Sequence, residues 1–185
     1  MKVQDIIRKA LEREKKGVRG LRITKPNISL AKAHMDKADH NLIVMSDLSK
    51  LKHTDWVIIT AYYAMYHAAT SLIMRLGLES KEHAATVAVL EYFFKDKLFL
   101  LLKKFDELKY KKDKIEQLNI SEKYLNFFWK VKQTREKAQY GIFTSYRESE
   151  LIMDYARQFV TKIKLVSEEV DENLIEQIIE EVKKL

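Results

Sequence analysis

Cysteine is absent from the 185-residue chain, proline occurs once, at Pro26, and glycine occurs four times. Without a thiol the protein forms no disulfide, performs no thiolate chemistry and builds none of the cysteine-rich structural zinc sites. With so few residues that break helices or favour turns, long helices joined by short loops are expected. No internal repeat, Gly/Ser linker or strand-like alternation of apolar and polar residues stands out. Also missing are a Gly-rich phosphate cradle, a HExxH pair and a nucleophile elbow, and the five histidines, at 34, 40, 53, 67 and 83, contain no ligand-like i, i+4 pair. Metal and acyl-transfer chemistry are thereby disfavoured, and neither a metal nor a cofactor is expected.

What is present favours helix. With 46% hydrophobic and 33% charged residues, the chain fits one globular domain with a single sizeable core, rich in Leu, Ile, Lys, Glu and Ala. The N-terminal MKVQDIIRKALEREKK lacks the apolar core of a signal peptide, so a cytoplasmic location is expected. The net charge of +7 is unevenly spread: residues 1–25 hold nine Lys and Arg against three Asp and Glu, and residues 168–185 hold two Lys against seven acids. A basic arm and an acidic tail of this kind can neutralise each other within one molecule or between two. The arm reads equally well as a solvated amphipathic helix, so its charge alone does not establish nucleic-acid binding.

The stretch WVIITAYYAMYHAATSLIM, residues 56–74, carries no formal charge and no Gly or Pro, yet holds three Tyr and a His. It predicts a helix buried on nearly every face, capped by Thr54, with Asp55 at the positive end of its dipole and Gly77 as a left-handed stop. Its length would also satisfy a membrane span, but Thr60, Tyr62, Tyr63, Tyr66, His67, Thr70 and Ser71 bring too many polar atoms for a lipid-facing surface. Further helices are predicted over 2–15, from an Asn27 or Ser29 cap to about 50, from a Ser80 cap through EYFF, over 97–118 with Lys103, Lys104, Lys109, Lys111, Lys112 and Lys114 exposed, from Ser121 to near Gly141, over 147–169 and over 171–184. Leu30, His34, Ala38 and Leu42 are the expected inward positions of the second, and Leu151, Tyr155, Phe159, Ile163 and Leu165 those of the helix over 147–169. The fold class is therefore all-α: an antiparallel up-and-down helical bundle over 27–169, preceded by a basic arm with a short amphipathic helix, 1–26, and followed by an acidic, peripheral helix, 170–185.

Two constellations can carry chemistry. The first comprises Tyr62, Tyr63, Tyr66, His67 and His83, where an aromatic helix meets the start of its neighbour; the polar tips either surround a cavity or satisfy one another within the core. The second is Arg135 with Tyr140 in TREKAQYG. A planar guanidinium suits a phosphodiester, with Lys130 and Lys132 adding attraction, or else it forms an ion pair with a neighbouring carboxylate.

The segment AYYAMYHAATSLIMRLGLESKEHAATVAVLEYFF, followed some 40 residues later by RxxxxYG and then by a helix containing YARQFV, resembles the HEPN domain, in particular the small stand-alone prokaryotic members. The resemblance covers roughly residues 28–167. It implies an antiparallel helical bundle that commonly dimerises, with a small nucleotidyltransferase as a frequent partner in toxin–antitoxin-like pairs. Several branches of that family are metal-independent ribonucleases, in which an Arg binds the phosphate and a His, after four to six intervening residues, helps move the 2′-hydroxyl proton. Arg135 matches the Arg, but position 140 is Tyr, and no His follows His83. A tyrosine ordinarily ionises near pH 10, so about one in a thousand is a phenolate at pH 7, against an imidazole already poised near 6.5. Tyr140 therefore suits hydrogen bonding to phosphate or stacking on a base better than proton transfer.

Three functional readings follow. The leading one is a cytoplasmic homodimer that binds a nucleotide, RNA or a nucleotidyltransferase partner without strong catalysis, its dimer surface around Phe127, Phe128 and the terminal helix. The second is a metal-independent endoribonuclease toxin using Arg135 and Tyr140, helped by His67 or His83. The third is a structural interaction module whose charged ends recruit a protein.

Overall fold

A computed structural model describes residues 2–98, 101, 112–140 and 145–185. The described chain is helical apart from one small sheet: α1 (Val3–Lys15), β1 (Leu21–Ile23), α2 (Ile28–Lys50), α3 (Thr54–Arg75), β2 (Leu78–Ser80), α4 (His83–Glu91) continuing into a π-helical turn (Tyr92–Asp96), α5 (Lys112–Leu118), α6 (Glu122–Tyr140), α7 (Tyr146–Glu169) and α8 (Glu172–Lys183). The expected exposure of the lysine run from Lys103 to Lys114 and the expected stop at Gly141 lie outside the described side chains.

α3 is the axis of the bundle, packed against α2, α6, α7 and α4. Its uncharged sequence is explained by that position: Ile58, Ala61, Met65, Ala68, Leu72 and Ile73 are fully buried, and 72% of its most apolar window lies inside the protein. Each of the Ile, Met and Leu side chains among them, removed from water, contributes about 1.5–3 kcal/mol. Small residues on the facing sides, Ala31 and Ala38 on α2 and Ala64 and Ala68 on α3, are all buried, and Ser71 Oγ donates to the Ala31 carbonyl at 2.7 Å across the joint.

Local chemistry sets the boundaries. The Asn27 side chain accepts from Leu30 N at 2.9 Å and caps α2, as expected for one of the two candidates there. Gly77 ends α3 with φ +74°, and a Cβ at that site would stand 2.9 Å from the Thr24 carbonyl oxygen. Two caps differ from expectation. The α3 N-cap position is His53, with Thr54 already helical and making no cap bond. Ser80 belongs to β2, where its hydroxyl accepts from Glu82 N and donates to Glu82 O, so it shapes the turn before α4 without capping the helix.

β1 and β2 pair antiparallel, with Leu21 opposite Ser80, Arg22 opposite Glu79 and Ile23 opposite Leu78. This clip fastens the basic N-terminal segment to the bundle. Ile7, Ala10 and Leu21 are fully buried, α1 packs on α4, and Arg13 Nη2 meets Glu82 Oε2 at 2.5 Å. α8 buries Leu174, Ile178 and Val182, and its end lines a groove together with Arg8, Leu11, Lys15 and Ile23, so the acidic C-terminal helix lies beside the basic N-terminal one.

Some expected core positions are not core. Leu30, Leu151 and Leu165 are exposed, while Ala38, Phe159 and Ile163 are buried. Phe128, expected at a dimer surface, is buried against Tyr62 and Phe159, with ring centroids 5.8 and 5.5 Å away. Phe127 is half-buried, stacked on Tyr155 at 4.0 Å.

Candidate functional site

The two constellations read separately in the sequence converge on one place. Tyr62 and Tyr66 stand one turn apart on α3, so their rings lie stacked along the same face, 6.3 Å apart. His83, the first residue of α4, packs against both: its Nδ1 hydrogen-bonds the Tyr62 hydroxyl, and its ring stacks on Tyr66 with centroids 4.0 Å apart. From the other side, Arg135 of α6 holds its guanidinium carbon 5.1 Å from the Tyr62 ring centre and 5.7 Å from that of Tyr63. Nη2 of the same guanidinium donates to the Tyr63 hydroxyl oxygen at 3.3 Å. Tyr62 thus links an imidazole on α4 to a guanidinium on α6.

The charge balance of this cluster is unusual. Among the described residues no carboxylate lies within ion-pair distance of Arg135, and its Nε is buried without a hydrogen-bond partner. The adjacent Glu136 forms its ion pair with Lys132 at 2.7 Å and feels Arg135 only through space, without a direct contact. The ion-pair alternative for Arg135 is therefore not realised among the described residues. Burial, with Arg135 and Lys132 adding repulsion, lowers the pKa of His83 below the ordinary histidine value, so its ring is neutral at pH 7. Burial also pushes the Tyr62 and Tyr66 hydroxyls upward, which keeps both protonated.

The remaining candidates lie elsewhere. His67 belongs to the α2–α3 joint, where its Nδ1 and that of His34 are 3.0 Å apart. Burial first, then His34 and Lys37, lower the His67 pKa to about 4. Tyr140 ends α6, 79% exposed, five residues or about 7.5 Å of helix rise beyond Arg135. No group of three metal-ligating side chains gathers among the described residues.

Trp56 was not singled out by the sequence, because it sits in a run that reads as core throughout. It is 61% exposed, and with Asp55, Ile59, Tyr63, Ala138 and Gln139 it lines a groove of about 380 Å³. The available signal was its i, i+7 spacing to Tyr63, which puts both on one face of α3.

The family model for the HEPN domain matches residues 31–185, through the C-terminal helix. A candidate toxin from Methanocaldococcus jannaschii is 25% identical to this chain over 138 residues, which span 75% of this chain and 89% of that protein.

Proposed function

The chain belongs to the HEPN-domain family, and on that premise we propose that it is a cytoplasmic, toxin-like protein that binds RNA through a phosphodiester at Arg135. The observation that carries this reading is a guanidinium with no carboxylate at ion-pair distance among the described residues and a buried Nε without a hydrogen-bond partner. A buried donor left without an acceptor is costly, and a phosphate oxygen would supply the acceptor together with the missing negative charge. Two tyrosine rings fix the orientation of the group, so little side-chain freedom is lost when a phosphate binds. The similarity to a candidate toxin is consistent with such a role.

A second reading, cleavage of the bound RNA, is favoured by one observation: His83 is separated from Arg135 by a single side chain, Tyr62. In the tautomer whose Nδ1–H donates to the Tyr62 hydroxyl oxygen, Nε2 carries a free lone pair and makes no hydrogen bond to a described residue. That nitrogen would take the 2′-hydroxyl proton as O2′ bonds to phosphorus and the P–O5′ bond breaks. Water protonates the departing 5′-oxygen, leaving a 2′,3′-cyclic phosphate. A neutral imidazole is the protonation state this step needs.

The test is RNA binding and cleavage in EDTA at two salt concentrations, wild type beside Arg135→Ala. Loss of a charge-assisted contact worth about 1.5–3 kcal/mol weakens binding roughly 10- to 150-fold. The slope of log affinity against log salt falls by about 0.7. Equal affinity and equal slope in the two proteins would remove Arg135 from the site. Cleavage abolished in both Arg135→Ala and His83→Gln supports the second reading, whereas binding without cleavage in wild type leaves the first. The homodimer and the nucleotidyltransferase partner belong to the same proposal; light scattering at micromolar concentrations checks the former, with a monomer throughout counting against it.

A further inference from the structure

Phosphate recognition at Arg135 leaves unexplained the groove beside it. Trp56, Ile59 and Tyr63 recur at i, i+3 and i+7 on α3, and Arg135, Ala138 and Gln139 at i, i+3 and i+4 on α6, so each trio forms one helical face. Tyr63 meets Arg135 at one end while Trp56 and Ile59 share the groove with Ala138 and Gln139, which makes the two helices antiparallel there. The anchor and the groove are therefore continuous through Tyr63, whose hydroxyl accepts from Arg135 and whose ring lines the groove.

The lining has an amphipathic plan. Trp56 offers a large exposed indole at the mouth, Ile59 and Ala138 give an apolar floor, and Asp55 and Gln139 supply an acceptor and an amide at the edge. The volume, about 380 Å³, falls within the roughly 300–1,000 Å³ of small-ligand pockets. A flat, partly polar ring fits this set: its face on the indole, its edge toward the carboxylate and the amide. Between Tyr63 and Trp56 the helix rises about 10.5 Å, which places a base stacked on Trp56 one to two nucleotides from a phosphate at Arg135.

We propose that the groove of Trp56, Ile59, Tyr63, Ala138 and Gln139 is a nucleobase subsite that takes one unstacked base of single-stranded RNA, stacked on Trp56, while Arg135 holds a phosphate one to two nucleotides from that base. It rests on the phosphate reading given above and adds a substrate class to it. Duplex RNA, whose bases are stacked and paired, does not fill the subsite.

The experiment uses the full chain and short single-stranded RNA carrying either a normal base or an abasic position at the nucleotide under test, with wild type, Trp56→Ala, Trp56→Phe and Arg135→Ala. Trp56 is largely exposed, so its substitution leaves the fold intact, and circular dichroism checks that. For RNA with the base, Trp56→Ala loses about five- to a hundred-fold in affinity, the worth of one base–aromatic stack. For abasic RNA, wild type and Trp56→Ala bind alike. RNA also quenches the indole fluorescence of wild type, and this quenching disappears in Trp56→Phe, which retains Trp129. If Arg135→Ala weakens binding but Trp56→Ala binds the base-containing RNA like wild type, the base subsite is overturned and the phosphate reading stands. If no RNA binds, both fall. If Trp56 fluorescence instead changes with protein concentration alone, the groove is a contact between copies of the chain and the base subsite is again overturned.

Discussion

The His34–His67 pair makes stability depend on pH over a definite window. The two Nδ1 atoms, 3.0 Å apart across the α2–α3 joint, are held by one shared proton, one ring donating and the other accepting. A second proton would set two donors against each other in a half-buried place already repelled by Lys37. The folded pKa of His67, about 4, lies below the ordinary 6.5, so the folded state binds fewer protons than the unfolded chain. The stabilising contribution is therefore complete above pH 6.5 and is lost as the pH falls from there toward 4. At about 1.4 kcal/mol for each tenfold change in proton affinity, the ceiling is roughly 3 kcal/mol. Solvent reaching the half-exposed ring reduces this to about 1.5 kcal/mol, or roughly 3–6 °C in Tm. The assay is urea or thermal unfolding of wild type and His67→Gln at pH 7.5, 6, 5 and 4.5. His67→Gln starts less stable, because His34 loses its partner, and then falls less steeply than wild type between pH 6.5 and 4.5. The burial that lowers the His34 pKa persists in the variant and leaves it a residual slope. Two parallel curves would refute the assignment of the pH dependence to this pair.

Phe128→Ala removes a ring that is 1% exposed and wedged between Tyr62 and Phe159, and it should cost about 3–5 kcal/mol by urea unfolding. Because Tyr62 then loses its support, RNA affinity should fall as well, in a protein still folded at low temperature. Gly20→Ala would put a Cβ 2.1 Å from the Ala10 carbonyl oxygen and 2.8 Å from Glu14 N, both backbone atoms of α1, so the helix must back away, at a cost of about 1–3 kcal/mol. Limited proteolysis should then cut within residues 1–19 sooner than in wild type. At Gly17, where φ is +72° and nothing stands within 4 Å, alanine meets only backbone strain and costs about 1 kcal/mol without exposing α1.

Several helices were legible because they carried their own punctuation, although Thr54 and Ser80 do not cap α3 and α4. Gly77 required no tertiary knowledge to be read as a stop, and the uncharged run after Trp56 declared the central helix. The sheet was hidden because its strands have three residues each, too few for a period of two to show. The outward turn of Leu30, Leu151 and Leu165 was hidden as well, since the helical period fixes which residues share a face but only packing decides which face is inside. At the site, the residue types were readable and their meeting was not. Tyr62, His83 and Arg135 lie on three helices, and the crossing of α4 and α6 over α3 brings them together. Geometry likewise separated His67 from His83, two half-buried histidines that one sequence presents as equals.

β1 leaves the ribosome well before the strand it pairs with. Between Leu21 and Leu78 the chain advances 57 positions, roughly 3–11 s of synthesis at about 5–20 residues per second. For that interval α1 has no α4 to cover Ile7 and Ala10, and the nascent chain presents a basic helix with an open apolar face. Once β2 and α4 are made, the partners that close the clip, cover that face and join Arg13 to Glu82, the residue before His83, are all present. The arm thus waits for residues 78–91 before it finds its place, and a chain arrested before residue 78 lacks the strand that pairs with β1.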